Sequence, residues 1–292
     1  MTDFYAFAAR QLPESVGAIE ALLSPADSFR TETVLHLTNV TTDAVRRIKA
    51  QKLAAELNCD SLFWTPVSIH RFKAFFFDMD STLVTTETLD EMAALCGTGK
   101  ACAEITAAVM AGTIKNYAES LRARVALLKG RDASVLEAVH ADSRFNPGVR
   151  ELIAALNANG IPSYVLSSGF TALTSRVAQE LGLTGYHSNV IGIRDGRFTG
   201  EVTGPNGGPI VDGAGKLAFV EKTMAALGTT AKEAACSGDG SNDVLMVSAA
   251  GLGIGFRPKA VLRPHCTLAL DQAGFESVLS LFTETAPTPA RF

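Results

Sequence analysis

Ala74-Phe75-Phe76-Phe77-Asp78-Met79-Asp80-Ser81-Thr82 is an unbroken apolar run that stops at two carboxylates spaced two residues apart. Apolar residues without alternation suit a strand buried on both faces, the condition of a parallel sheet covered by helices. Sheets of that kind carry their ligands beyond the carboxyl ends of the strands. Asp78 and Asp80 fall at such an end, where they can share a cation or divide nucleophile and proton-transfer duties. An acidic turn capped by Ser81 and Thr82 is the plainer alternative.

Outward from this strand the pattern changes twice. Residues from about 86 to 145 read as helix, with apolar stripes through Ala93, Ala94, Leu95, Ile105, Val109, Leu121, Val125, Leu128, Val135, Leu136 and Val139. Beyond them strand and helix alternate: helix 148–159, strand 162–166, helices 170–181 and 216–227, strand 233–237, helix 242–249 and strand 251–255. This is the order of an α/β fold with a Rossmann-like, doubly wound parallel sheet and a helical cap insertion. Asp195-Gly196, between apolar residues of the 189–204 stretch, marks a β-hairpin.

On the N-terminal side, Thr31 to Val40 alternates polar and apolar as a half-buried strand does. Thr41, Thr42 and Asp43 offer helix caps, and Val45, Ile48, Leu53 and Leu57 follow at helical spacing. Ser61 to Thr65 is a second short strand, stopped by Pro66. The reading is a small N-terminal α+β module over 1–70, a catalytic-type domain over 71–282, and a frayed tail over 283–292 that holds two prolines.

Composition excludes several classes. Over 292 residues, 26 Lys and Arg stand against 30 Asp and Glu, a net charge of −4, so a nucleic-acid binder driven by phosphate neutralisation is not expected. The start of the chain has no basic stretch leading into an apolar one, and no apolar run approaches the length of a membrane span. The five cysteines, Cys59, Cys96, Cys102, Cys236 and Cys266, are odd in number and contain no C-x-x-C pair. Free thiols in a reducing cytoplasm are the expectation.

Three further strand ends carry chemistry. Ser167-Ser168-Gly169-Phe170 opens a helix, where a hydroxyl and free N–H groups make an anion site or a simple cap. Lys216 begins a helix after Gly213-Ala214-Gly215; a lone lysine is ordinarily a solvated surface charge. Gly238-Asp239-Gly240-Ser241-Asn242-Asp243 places two more carboxylates past a strand. It is no calcium hand, because Ala250 stands where the twelfth-position Glu is needed. Nor does Gly251-Leu-Gly-Ile-Gly255 form a dinucleotide loop, since Phe256 follows. In sequence order, carboxylates, a hydroxyl, a lysine and more carboxylates would converge on one face, a set suited to a divalent metal and a phosphate together.

These motifs resemble those of the haloacid dehalogenase superfamily and, more closely, of its phosphoserine phosphatases. The resemblance runs through Asp78-Met-Asp-Ser-Thr-Leu-Val-Thr-Thr-Glu-Thr-Leu-Asp-Glu91, Ser120-Leu-Arg-Ala-Arg-Val-Ala-Leu-Leu-Lys-Gly130 and the Gly-Asp-Gly-Ser-Asn-Asp run, and covers about 72–282. One departure is Ser168, where the family usually has Gly. The resemblance implies Mg2+-dependent hydrolysis of O-phospho-L-serine through an aspartyl-phosphate. In that reading Asp78 is the nucleophile and Asp80 the acid and base. Asp78, Asp80 (by its carbonyl), Asp239 and Asp243 serve the metal, Asp243 by orienting a water. Ser167, Ser168, Gly169 and Lys216 bind phosphate. Glu87 and Arg124 read the substrate ammonium and carboxylate, Met110 and Tyr117 close the apolar side, and Asn242 contacts substrate. A phosphatase or phosphotransferase for another small phosphomonoester is the alternative within enzymes. A non-catalytic phospho-ligand-binding regulator is the alternative outside them. The oligomeric state is left open.

Overall fold

The computed structural model describes residues 2–40, 43–110 and 116–284, with the side chains of Val109 and Met110 left out. Thr41 and Thr42, two of the three cap candidates, lie outside them. The chain begins with β1 (Asp3–Phe7), α1 (Gly17–Leu23), β2 (Asp27–Arg30), β3 (Val34–Thr38), α2 (Ala44–Glu56) and β4 (Asp60–Trp64). These strands form an antiparallel sheet in the order β2-β3-β1-β4. The predicted strand over 31–40 is shorter at both ends. Thr31 instead makes a turn, accepting the Val34 amide on its Oγ1 at 3.0 Å.

Asp43 does cap α2, accepting the Arg46 amide at 2.8 Å. The buried face of α2 differs from the expected stripe. Val45 and Ile48 are 61% and 67% exposed, while Ala50 and Ala54 are fully buried against the sheet. Leu53 and Leu57 of the expected stripe do pack, partly buried, against this core, but Val45 and Ile48 do not. Ala50 and Ala54 mark the inner face, where small side chains let helix and sheet approach closely.

The larger part of the chain follows with β5 (Ala74–Phe77), then the helical insertion α3 (Thr88–Leu95), α4 (Gly99–Met110), α5 (Tyr117–Ala126) and α6 (Val135–Asp142). After it come α7 (Val149–Ala158), β6 (Ser163–Phe170), α8 (Thr171–Leu181), β7 (Gly185–Arg194), β8 (Arg197–Thr203) and α9 (Gly213–Ala226). The fold closes with β9 (Ala234–Gly238), α10 (Val244–Ala249), β10 (Leu252–Phe256) and β11 (Leu268–Leu270). The second sheet is ordered β11-β10-β9-β5-β6-β7-β8, parallel except for β8.

The Phe run reads as it does because β5 lies between β6 and β9 and has a core on each side. Phe75 and Phe77 pack among Leu152, Ile153, Leu156, Leu173 and Val177 of α7 and α8. Ala74 and Phe76 pack among Val220, Met224, Met246 and Val247 of α9 and α10. The hairpin at Asp195-Gly196 is present, with both residues left-handed (φ 50° and 72°), the conformation that Asx-Gly turns favour.

The helical insertion leaves and rejoins the sheet through adjacent segments. Val84 bridges Phe145, the Thr85 amide donates to the Arg144 carbonyl at 2.8 Å, and Asn146 donates to the Thr82 carbonyl at 2.8 Å. The N-terminal sheet is separate in hydrogen bonding but not in packing. Phe4, Ala6, Leu35 and Leu37 face their own helices, whereas Tyr5, Phe7 and Leu62 belong to the same core as Phe275, Leu281 and Phe282. Buried Asp60 accepts the amides of Asp271, Gln272 and Ala273 at 2.8–2.9 Å. Residue 70 thus divides the sheets without dividing the core.

Candidate active site

Strand ends of β5, β6 and β9 and the start of α9 meet beneath the helical insertion. Asp78 directly follows β5, and its amide still donates to the Ser237 carbonyl of β9 at 2.9 Å. The chain then makes one wide turn over Met79–Leu83, with Ser81 left-handed at φ 54°. That turn carries Asp80 back toward α3, where its Oδ1 accepts the Thr88 amide at 2.9 Å. Gly169 gives Asp80 room: a Cβ there would come within 3.3 Å of Asp80 Oδ2.

Lys216 is the centre of the floor. It is fully buried, and its Nζ donates to Asp78 Oδ1 at 2.6 Å and to Asp243 Oδ1 at 2.7 Å. The solvated-charge reading of a lone lysine does not describe it. Asp243 accepts twice more on Oδ2, from the amides of Asp239 and Gly240, both at 3.1 Å. Gly238 permits this, since a Cβ there would lie 2.3 Å from the Asp243 carboxyl carbon. Oxygens of Asp78, Asp239 and Asp243 lie within 4.8 Å of one another.

Burial decides the electrostatics here. Desolvation, then the nearby Asp243 charge, push Asp78 well above the usual carboxylate range, against the pull of Lys216. Desolvation also lifts Asp80, to about 6, with the Thr88 amide opposing it. Burial alone would lower Lys216, but Asp243 and Asp78 outweigh it and hold the ammonium charged. Asp78, Asp80, Asp239 and Asp243 outnumber the two lysines bonded to this group, Lys216 and Lys259. A buried carboxylate excess whose members repel one another fits a divalent cation.

Above the floor is an open pocket of about 540 Å3. Asp78, Asp80, Ser168, Gly169, Asp239 and Asn242 line it from the sheet side, and Glu87, Tyr117 and Arg124 from the insertion side. Ser167, Lys216 and Asp243 lie behind this lining. Ser167 is fully buried, with its Oγ accepting the Gly169 amide at 2.8 Å. Arg124 has a buried Nε with no hydrogen-bond partner among the described residues. Tyr117 directs its hydroxyl toward the Ser168 carbonyl at 3.5 Å, and Asn242 directs its amide toward the Ser168 hydroxyl at the same distance. Glu87 accepts from Ser81 Oγ at 2.9 Å. Met110 ends α4, and its side chain lies outside the described residues.

Two residues in this region escaped the sequence reading. Lys259 lines the pocket, with its Nζ 2.9 Å from Asp239 Oδ2 and 3.6 Å from Glu87 Oε1. It stands three residues past β10, a strand end like the others but without a recognisable motif. Asn189 is fully buried in β7. It donates to the Ser168 carbonyl at 2.8 Å and accepts the Val211 amide at 2.7 Å, tying the end of β6 to the segment that leads into α9. Its neighbours in β7, His187 and Ser188, are polar too, so nothing in the local sequence sets it apart.

A family model described as haloacid dehalogenase-like hydrolase matches residues 75–248. A phosphoserine phosphatase of Albidiferax ferrireducens is 41% identical over 221 residues, 75% of this chain and 93% of that one. The chain belongs to the phosphoserine phosphatase family of haloacid dehalogenase-like hydrolases. It is therefore a phosphomonoester hydrolase, and the matched region holds all four strand-end motifs, from Asp78 to Asp243. A substrate-bound phosphoserine phosphatase structure superimposes with a TM-score of 0.65 at 30% identity, over 73% of this chain and 99% of that one. A haloacid dehalogenase family hydrolase from Salmonella enterica serovar Typhi reaches a TM-score of 0.84 at 25% identity. That alignment covers 97% of this chain and 99% of the other, so the N-terminal module is part of the shared architecture. No helix among the described residues is long and apolar enough to cross a membrane.

Proposed function

We propose that the chain hydrolyses O-phospho-L-serine to L-serine and phosphate, with Asp78 as nucleophile. The observation that carries this reading is the Asp78–Lys216–Asp243 bridge beside Asp80, at the floor of a pocket whose far wall holds Arg124, its buried Nε without a hydrogen-bond partner among the described residues. Burial raises both carboxyls, but only Asp78 is bonded to the charged Lys216. Asp80 faces the pocket without a lysine bond among the described residues, an arrangement that suits a nucleophile beside an acid.

Asp78 attacks phosphorus; an O–P bond forms to the carboxylate as the bond from phosphorus to the serine oxygen breaks. Asp80 delivers its proton to that leaving oxygen, a duty that suits a carboxyl raised to about 6 by burial. With Oδ1 held by the Thr88 amide at 2.9 Å and the Ser167 hydroxyl no nearer to Oδ2 than 3.5 Å, Oδ2 is the oxygen placed to carry the proton. In the second half Asp80 takes a proton from water, which attacks the acyl phosphate and frees Asp78. Mg2+ held by Asp78, Asp239 and the Asp80 carbonyl would supply positive charge to the phosphate oxygens. Asp243, with both oxygens engaged, holds Lys216 and the Asp239 loop in place. Ser168, Gly169 and Asn242 meet the phosphate from the sheet side. Lys216 and Ser167 act from behind them.

Glu87 and Arg124 read the amino-acid part. Arg124 offers a planar donor fork for a carboxylate, and Glu87 a charge for the ammonium. Tyr117 and Met110 close the remaining side. Phosphate release should be measured over a panel of small phosphomonoesters, with and without Mg2+. Phosphoserine should be the best substrate and require the metal. A stronger preference for another ester would replace the substrate, and activity independent of a divalent cation would remove the metal.

A further inference from the structure

We propose that Lys259 sets the metal preference of the site by leaving Asp239 only one oxygen for coordination. The inference rests on the proposed reading that Asp78 and Asp239 hold the cation by their carboxylates, with Asp243 beside them. Each of these carboxylates already has at least one oxygen bonded to a nitrogen donor. Lys216 takes Asp78 Oδ1. Asp243 is bonded on both oxygens, by Lys216 and by two amides. On Asp239 the nitrogen is that of Lys259, 2.9 Å from Oδ2.

The lysine is placed for this by its own backbone. Arg257 is left-handed at φ 43°, and the turn through Pro258 brings the Lys259 amide within 2.8 Å of the Asp239 carbonyl. On its other side the Lys259 carbonyl accepts the Leu262 amide at 2.9 Å. Main chain and side chain of Lys259 thus hold the same residue, and the Asp239 carboxylate cannot turn both oxygens inward without losing that bond.

One-oxygen carboxylates are what a small octahedral cation uses. Mg2+ takes six oxygens at short distance and keeps several waters, whereas Ca2+ takes six to eight and accepts bidentate carboxylates. Lysines on the spare oxygens therefore act against Ca2+ more than against Mg2+. Of the two lysines, Lys216 is buried and also holds the nucleophile, so its removal would disturb much else. Lys259 is half exposed and can be changed without opening the core.

The test is calorimetric titration of the metal-stripped full chain with Mg2+ and, separately, with Ca2+. Wild type, Lys259→Met, Lys259→Gln and Lys259→Arg are compared, with circular dichroism confirming the fold. Both neutral variants should bind each ion more tightly, since a neighbouring positive charge is gone. Ca2+ should gain about tenfold more than Mg2+, on the scale by which groups bonded to a ligand tune affinity. Lys259→Arg, which keeps a cationic donor, should restore the wild-type ratio. Equal gains for the two ions, or none, in both neutral variants would overturn the inference while leaving the metal site standing. A wild-type chain that takes up neither ion would overturn the site and the inference together.

Discussion

The floor of the pocket and its far wall are built in opposite ways. On the floor, Lys216, Asp78 and Asp243 are almost wholly buried and bonded to one another at 2.6–2.7 Å. On the wall, the Glu87 side chain is 51% exposed and Arg124 keeps a nitrogen without a partner among the described residues. On the proposed reading the floor's bonds are set before substrate arrives, and the wall is completed by it. Preorganised charge is most effective where charge develops in the reaction, and open donors are most useful where a ligand must be recognised. The contrast separates groups that do chemistry from groups that choose.

If this is right, damage to the floor should be indifferent to substrate. Asp78→Asn should lower turnover by at least about three orders of magnitude, about 4 kcal/mol of barrier, on phosphoserine and on an aryl phosphate alike. A variant that keeps a tenth of the activity would end the nucleophile assignment.

Lys216→Met should cost folding stability as well as activity, because it leaves two buried carboxylates without their shared cation. A loss of about 3–5 kcal/mol in urea unfolding is expected. The sign with pH follows from the raised Lys216 pKa. A base held above its ordinary value stabilises fully below that value and loses the effect only as pH climbs through the folded one. The deficit should therefore stay level from neutral pH to about 10. A deficit that shrinks across that range would show that the lysine is not charged in the folded chain.

Damage to the wall should depend on substrate. Glu87→Gln and Arg124→Ala should each cut kcat/KM for phosphoserine by about thirtyfold to a few thousandfold, the half-exposed Glu87 at the low end. An aryl phosphate, with neither ammonium nor carboxylate, should lose far less. Equal losses on both substrates would erase the distinction between floor and wall. Tyr117→Phe lies between the two, since its hydroxyl only approaches the Ser168 carbonyl at 3.5 Å. A change of no more than a few fold in steady-state rates is expected, because a bond that long contributes little.

The carboxylates and hydroxyl of the floor were legible in the sequence, whereas its buried Lys216 and the whole wall were not, for a physical reason. Asp78, Ser167 and Asp239 lie near or just past the ends of buried parallel strands, which are written as apolar runs, and so announce themselves by what precedes them. Lys216 follows the Gly-rich start of α9, which carries no such signal. Glu87 and Arg124 lie on the helical insertion among other charges, and only the family resemblance singled them out. Lys259 and Asn189 were missed because each matters through bonds to residues distant in sequence. Tertiary packing also overrode local pattern in α2, where Val45 and Ile48 looked like the core and Ala50 and Ala54 are. β1 and β2 were invisible for opposite reasons, one buried along its whole length and the other exposed along it.

The docking of the N-terminal sheet bears on how the chain is made. Asp60 and the amide it accepts from Asp271 are 211 residues apart, and Trp64 Nε1 donates to the Leu281 carbonyl across a similar span. A ribosome releases the module long before it supplies the surface that covers Tyr5, Phe7 and Leu62. Through that interval one face of the sheet can close on α1 and α2 while the other stays wet. Loop closure over such a distance costs entropy before any contact repays it, and exposed apolar faces invite association with other chains. Elongation rate and chaperone supply should thus govern the soluble yield of this protein more than the stability of its finished fold does.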